Sequence, residues 1–559
     1  MRKHLLTLLA LASLTPLNLW TPDAAAAPLV QEEEKGTFTN KKYGFTVKPP
    51  KGWDMVPLET DQVWMTCKYR SKKSYFFHDK TRGYTFEHQP ELKVIALVKA
   101  NLDAKRKADR EEGEDGDVIT ISGGAPFKDY EGYLESVMSA GFFVDTQETE
   151  TIAGTEVDIY SYRVEKLEAA PRFIRTWIWR TEDIDYAVQI DVLQSEDKKL
   201  KKILERTFKS FELIERSGAD LSNKGWVTLS AMNASSPKER RAARIKSESA
   251  LRQRVLDSLS SEWTTTEFGD LLVLSATDKR YTKKIGNHAK SVQKWLDDTF
   301  PYVGEGEYAR HPIIRVLDGQ EALRNFGSGA GDSNQGAYIF RKGLEIYTAK
   351  TSGGWTGIEI DNLNRGMAMI WFEDKDRDLN SALPFWIRDG LNHVIRGARG
   401  DGKKIKFRLD YDVVEARTYI AQGFGMDVKE MLLLTRADVS ASTSAESKVA
   451  QQRLTQVFSF FRYLISKEAK KNKLTKNFLK TYVATLQEVV DDQTASDKEK
   501  YSDLGEPETE EEEEERAKAR SERSQQRAGK TATEVLDRGF GDWPQEDWDK
   551  LLKAYRDWL

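Results

Sequence analysis

One cysteine, Cys67, is all that the 559 residues contain. No internal disulfide can close, so whatever this chain folds into must be held by buried apolar surface rather than by cross-links. The supply is adequate, with hydrophobic residues at 39% and 14 Trp. A length of 559 residues exceeds what one core serves, so two or three domains are expected. Cys67 itself lies in Val63-Trp64-Met65-Thr66-Cys67-Lys68-Tyr69, an alternating run with no histidine beside it. A buried structural thiol is the expectation there.

The 86 basic and 90 acidic residues leave a net charge of −4, which offers no global attraction for nucleic acid or an anionic membrane. The N-terminus reads as an export signal. Arg2, Lys3 and His4 precede an apolar run from Leu5 to Leu14, and Ala24-Ala25-Ala26-Ala27 supplies an A-x-A cleavage site. Cleavage is expected after Ala26, giving a signal peptide over 1–26 and a periplasmic or extracellular product. The competing reading is an uncleaved anchor, for which the apolar run is short. No later stretch reads as a membrane span.

A short acidic leader, 27–35, is expected to be disordered. From Gly36 the pattern is mostly strands: Phe38 to Phe45 around a turn, then Val47 closed off by Pro49-Pro50, and Leu92 to Val98. Residues 101–117 are a charged loop. Phe127 to Ala140 has helical spacing, and 146–152, 156–164, 172–180 and 186–193 read as strands, of which 156–164 and 172–180 alternate. Leu200 to Phe211 closes the unit as a helix striped by Ile203, Leu204, Phe208 and Phe211. An antiparallel sheet with helices segregated to it is an α+β unit. Its opening "YGFTVKPPKGW" and closing "KKILERTFKSFELIE" resemble the PsbP-like family over residues 36–216. The resemblance implies a binding or accessory domain and carries no catalytic residue with it.

Residues 217–267 read as a linker followed by a basic helix, whose run from Lys238 to Arg254 is expected to be a solvated face. A second domain, 268–496, follows. Its expected elements are a strand at Leu271 to Ser275, a helix at Lys284 to Phe300, and a strand at Ile313 to Leu317. A short helix at Gln320 to Phe326 and a Gly/Ser/Asn loop at 327–336 come next. Strands at 337–340 and 345–349 form a hairpin. A helix from Ile358 to Phe372 is capped by Asp361 or Asn362. Pro384 begins a further helix that Gly397 closes in the left-handed region. Helices at 445–465 (striped by Val449, Leu454, Val457, Phe458, Phe461 and Leu464) and 474–490 complete it. Residues 497–530 hold six consecutive Glu from Glu510 and too few apolar side chains to order as a domain. Residues 531–559 regain aromatic character and are expected to dock on the second domain as one helix.

The stretch Leu383-Pro384-Phe385-Trp386-Ile387-Arg388-Asp389-Gly390-Leu391 resembles the Pro-x-Trp segment of gluzincin metallopeptidases, closest to the secreted peptidase-MA-like kind. The resemblance, mainly one of element order, covers 268–559. It implies a zinc helix over 361–372 and a third zinc ligand at Asp389, where the family carries Glu. A zincin needs two histidines four residues apart on a helix, with a glutamate as base. The chain has six histidines, and none of them are so spaced. Asn364-Arg365-Gly366-Met367-Ala368 fills the slot instead. The fold class expected is therefore α+β: an antiparallel-sheet PsbP-like domain, then a mainly helical gluzincin-like α+β domain.

Three readings of Asp389 and His393 stay open: a polar helix face, an atypical metal site at positions i and i+4, or ligand binding in the old cleft. No GxSxG, P-loop or EF-hand pattern offers another chemistry. The expectation is an exported noncatalytic binding protein with no cofactor, no catalytic residue and no metal. Its candidate cleft residues are Asp389, His393, Trp386 and Asn364. Its partner is a protein, a peptide or a cell-envelope component, and the oligomeric state is open. A divergent secreted hydrolase is the alternative.

Overall fold

A computed structural model describes residues 33–34, 36–59, 62, 64–81, 83–100, 102, 129–137, 141–164, 170–218, 221, 237–259, 262–300, 311–319, 322–323, 341–342, 344–350, 358–375, 377–407, 411–439, 444–501 and 530–559. The export signal, most of the 101–117 loop, the 327–336 loop, the 337–340 strand and residues 502–529 of the acidic stretch lie outside them.

The chain is α+β, an antiparallel-sheet unit followed by a mainly helical one. The first unit opens with β1 (Glu33–Glu34), β2 (Thr37–Asn40), β3 (Phe45–Val47) and β4 (Trp53–Met55). Glu33 and Glu34 were expected in a disordered leader, but they pair with Phe38 and Thr37. Then come β5 (Met65–Ser71), β6 (Tyr75–Asp79), β7 (Tyr84–His88), β8 (Glu91–Val98), α1 (Tyr130–Val137), β9 (Phe142–Ile152), β10 (Thr155–Val164), β11 (Arg172–Arg180), β12 (Ile184–Leu193), α2 (Asp197–Phe208) and β13 (Glu212–Leu213). Seven strands pair antiparallel in the order β4-β5-β8-β12-β11-β10-β9, and β1-β2-β3-β13 form a smaller sheet. Period-2 alternation divides the large sheet into two faces. Cys67, Tyr69, Leu92, Val94, Trp177, Trp179, Val188 and Ile190 pack against α2. Ile95, Leu97, Ile178 and Ala187 pack against Tyr130, Tyr133 and Leu134 of α1. The β9–β10 hairpin turns on Ala153 (φ 49°) and Gly154 (φ 83°), the left-handed pair that a two-residue turn requires. Ile203, expected in the buried stripe of α2, is exposed instead, and Phe211 packs from just beyond the helix.

The second unit is entered through α3 (Pro237–Asp257). It continues with β14 (Thr264–Phe268), β15 (Leu271–Ser275), α4 (Lys279–Thr299), β16 (Ile313–Leu317), β17 (Arg341–Lys342) and β18 (Glu345–Ala349). The sheet order is β14-β15-β16-β18-β17, with β15, β16 and β18 parallel and both edges antiparallel. β14 lies in the stretch expected to be linker. Helix α4 starts a turn earlier than its apolar spacing suggested, because Asp278 accepts the Tyr281 amide as N-cap. Tyr281 then buries its ring and donates to Ala349 O at 3.0 Å.

The helical half runs α5 (Ile358–Lys375), α6 (Arg377–Ala382), α7 (Phe385–Arg396), the ribbon β19 (Arg399–Gly400) and β20 (Ile405–Lys406), α8 (Tyr411–Ala421), α9 (Val428–Leu433), α10 (Ser444–Leu464), α11 (Lys467–Lys471), α12 (Phe478–Tyr501), α13 (530–540) and α14 (Gln545–Trp558). Helices α4 and α5 cover one sheet face, and the core they begin continues without a break to Leu559. The C-terminal stretch is two helices, not one, because Gly541-Asp542-Trp543-Pro544 interrupts it. Both contribute to this core, through Val535, Phe540, Trp548, Leu551 and Tyr555. Three further expectations fail. Asp361 and Asn362 lie inside α5, since the helix already runs from Ile358. Gly397 ends α7 at φ −88°, outside the left-handed region, as the chain passes directly into β19. Val449 of α10 is exposed. Among the described residues, no helix is long and apolar enough to cross a membrane.

Candidate functional site

Asn364, which the gluzincin resemblance places in the expected zinc helix, lies on α5. Its side chain is fully buried. The Gly400 amide donates to Nδ1 of His288 on α4 at 2.8 Å. That fixes Nδ1 as a bare acceptor, so Nε2 carries the ring proton. Nε2 lies 2.6 Å from Asn364 Oδ1 and donates to it. The Asn364 amide nitrogen then donates to Ile395 O at 2.7 Å and Ala398 O at 3.2 Å. One side chain thus ties α4, α5, the end of α7 and β19. Burial, only partly offset by the Asn364 hydrogen bond, pushes the His288 pKa down to about 4, keeping the ring neutral. This is a satisfied core network.

Helix α7 carries the other three residues singled out in the sequence. Trp386 is fully buried. Its ring meets Tyr482 of α12 edge-on at 4.9 Å and is flanked by Phe460 and Phe461 of α10. It is a packing anchor. Gly390 explains its own place in the motif: a Cβ there would lie 2.8 Å from the Phe461 Cβ, so the two helices meet through the missing side chain. His393 stacks on Phe458 at 4.3 Å, and its Nε2 lies 2.7 Å from Asp412 Oδ2 on α8. Asp389 lies 3.6 Å from Arg388, and its Oδ2 is sheltered without a hydrogen bond among the described residues. The structure therefore joins Asn364 to His288 and His393 to Asp412, and it does not gather the four into one cleft. Among the described residues, no three His, Cys, Asp or Glu side chains converge as a metal set.

Two buried ionic clusters escaped the sequence reading. Glu91 is fully buried among Arg70 (2.7 Å), Lys93 (3.2 Å) and Lys68 (3.4 Å). Burial alone would raise its pKa, but these cations hold it well below the usual carboxylate range. The signal was available: Lys68 and Arg70, and Glu91 and Lys93, stand two apart in otherwise apolar strands, so each pair faces one side. The second cluster joins the two units. Arg315 of β16 holds both Glu345 oxygens, at 2.5 and 3.1 Å, and also donates to Leu58 O. Tyr347 donates to Glu59 at 2.9 Å, and Arg254 of α3 donates to Glu59 O at 2.8 Å. Part of the basic run expected to face solvent therefore serves as a clamp. No sequence signal pairs residues so far apart in the chain.

A groove of about 430 Å³ lies between β14 and the start of α4, lined by Thr264, Thr265, Thr266, Phe268, Lys279, Thr282 and Lys283.

No protein-family model and no curated protein matches the chain. Solved structures are similar to its N-terminal part. Cyanobacterial PsbP (CyanoP) of Synechocystis sp. PCC 6803 is 12% identical over 32% of this chain and 91% of its own, with a TM-score of 0.21. LpqN of Mycobacterium tuberculosis, described as involved in cell envelope biogenesis, is 12% identical over 30% and 83%, with a TM-score of 0.19. PA94 of Pseudomonas aeruginosa, a protein of unknown function, is 10% identical over 29% and 97%, with a TM-score of 0.15. None of these likenesses bears on the α5–α7 region or on an activity.

Proposed function

We propose that this chain is an exported, noncatalytic binding protein: a PsbP-like unit followed by a degenerate gluzincin-like unit, engaging a protein, peptide or envelope component outside the cytoplasm. The observation that carries the reading is the Asn364 network. Where a zincin would present two histidines to substrate, the side chain faces inward and spends its hydrogen bonds on His288, Ile395 O and Ala398 O. Catalytic zinc needs three protein ligands and an open position, and the region presents no such set among its described residues.

The alternative, a divergent hydrolase, has one observation in its favour, the sheltered Asp389 Oδ2. Metal analysis of the purified protein, together with peptide-library cleavage, separates the two readings. The binding reading expects no stoichiometric zinc and no cleavage sensitive to Asp389→Ala or His393→Ala. Bound zinc lost with either substitution, or cleavage abolished by it, would falsify that reading.

A further inference from the structure

β14 is an open sheet edge. β14 pairs with β15 on one side, and its other edge meets no strand among the described residues. Thr265, Thr266 and Glu267 are exposed, so its backbone groups there border solvent. An unpaired edge is a template for another extended chain. Natural edges are commonly blunted by lysine, proline or a bulge. β14 carries no lysine or proline and pairs with β15 without a bulge, Glu267 is its one charged residue, and three consecutive threonines favour the extended conformation.

Second, the edge opens onto the groove beside α4. Phe268 closes one end, since its ring occupies the space a side chain at Gly286 would need. Beyond it lie Thr264, Thr266 and Thr282. Their hydroxyls and the two lysines set polar groups along a trough whose lining is otherwise largely apolar.

Third, the α4 side of the groove is basic, and the exposed acid of β14, Glu267, is not among the residues that line it. Lys279, Arg280, Lys283 and Lys284 fall in the first six residues of α4, which has no acidic residue in its first turn. Cations are disfavoured at a helix N-terminus by the partial positive charge of its unpaired amides. A cluster placed there against that preference calls for an anionic counterpart. Asp278 does not supply it, because its carboxylate caps the helix and pairs with Lys350 at 2.9 Å.

The spacing fits an extended chain. β15, α4 and β16 form a parallel crossover unit, so α4 runs back along the strands and shares an axis with β14. Lys279 and Lys283 are one helical turn apart, about 5–6 Å along that axis. Side chains two apart on a strand are separated by roughly 6.5 Å. Carboxylates at alternate positions of an added strand would therefore each meet a lysine.

We propose that β14 and the Lys279/Lys283 trough accept an acidic peptide segment as an added strand. The backbone edge gives affinity, and the lysines select carboxylates at alternate positions. This rests on the noncatalytic reading above and gives it a site. A second copy of the chain is a poorer occupant, because two such edges would bring their lysines together.

The test uses the full mature protein and fluorescence anisotropy of labelled peptides about six residues long, the length of an average strand. One peptide alternates glutamate with valine, and its control alternates lysine with valine. The glutamate peptide is expected to bind, with affinity falling at least about tenfold in high salt as exposed charges are screened. Lys279→Glu/Lys283→Glu should abolish binding while leaving the circular dichroism unchanged, since both lysines are exposed. N-methylation along one edge of the peptide should abolish binding, and along the other leave it intact. Equal binding of both peptides, or indifference to the double substitution, overturns the proposal. Indifference to N-methylation along both edges also overturns it, leaving an ion site without strand addition. Preference for a single-stranded oligonucleotide of equal charge over the peptide does the same. Mass spectrometry of the recovered peptide separates the two layers: cleavage defeats the noncatalytic reading, whereas an intact, unbound peptide defeats this inference alone.

Discussion

Nε2 of His288 and Oδ1 of Asn364 lie 2.6 Å apart with both side chains fully buried, and the Gly400 amide on Nδ1 fixes which atom donates. A helix face that serves chemistry must keep its polar atoms available to a ligand. Here they hold four pieces of backbone and side chain in register.

The neutral form of His288 is favoured by folding, so its pKa of about 4 lies below the 6.5 of an exposed histidine. The sign follows from linkage. The unfolded chain binds the proton first, so this contribution is complete above about pH 6.5 and is lost as pH falls toward 4. The loss is on the order of 3 kcal/mol. Urea denaturation at pH 7 and pH 4.5 should show the wild type losing more stability than His288→Gln, which cannot titrate. Parallel losses in the two proteins would show that the pH dependence arises elsewhere.

Asn364→Leu should be worse at neutral pH than a cavity of its size implies. It strands the buried His288 N–H, at a cost of about 1–3 kcal/mol, whereas Ile395 O keeps the Ala398 amide and Ala398 O keeps the Arg399 guanidinium. A loss of that size in chemical denaturation is expected. Asn364→Asp should not rescue it, because a carboxylate cannot donate to the two carbonyls.

Gly390→Ala places a methyl group 2.8 Å from the Phe461 Cβ. Overpacking of a helix contact costs about 1–3 kcal/mol. The same substitution at a solvent-facing helical position would be favourable by roughly 0.5–1 kcal/mol, so the sign itself is diagnostic. A thermal midpoint that rises in Gly390→Ala would mean that α7 and α10 are farther apart than described.

Much of this was legible in the chain and some was not, for reasons that lie in range. Period-2 alternation identified β8, β10 and β11, because each side of the large sheet is sorted by polarity. Heptad-like stripes found α10 and α12. The single Pro-x-Trp stretch located Trp386 and Gly390, whose packing roles are local to one helix and its neighbour. What failed was either irregular or distant. β14, with three threonines and a glutamate, alternates nothing and was taken as linker. The Asn364–His288 pair spans 76 positions and Arg315–Leu58 spans 257. Neither pair has a spacing to read. The polar character of Asn364 was visible, but its inward direction was not.

Cys67 offers a reporter for the first unit. Its thiol is fully buried in the strand core against α2, and burial pushes its pKa well above the ordinary range. The thiolate is the reactive species, so an aromatic disulfide reagent should label it only as fast as the unit opens. Labelling should be negligible in the native state and reach one equivalent in denaturant. Fast native labelling would place Cys67 outside that core.

Arg315 tests how the two units are joined. Its guanidinium neutralises Glu345 and also grips Leu58 O of the first unit, while Tyr347 holds Glu59 beside it. Arg315→Met leaves the Glu345 carboxylate buried without its cation, which should cost about 3–5 kcal/mol. The double variant Arg315→Met/Glu345→Leu removes both charges and should recover much of that loss, because an apolar pair of similar volume tolerates burial well. It cannot restore the bond to Leu58 O. Calorimetry should therefore show the double variant with a near-normal second-unit transition but a weakened coupling, the first unit melting separately at a lower temperature. If the double variant melts as a single transition at the wild-type temperature, the Arg315–Leu58 bond does not couple the units.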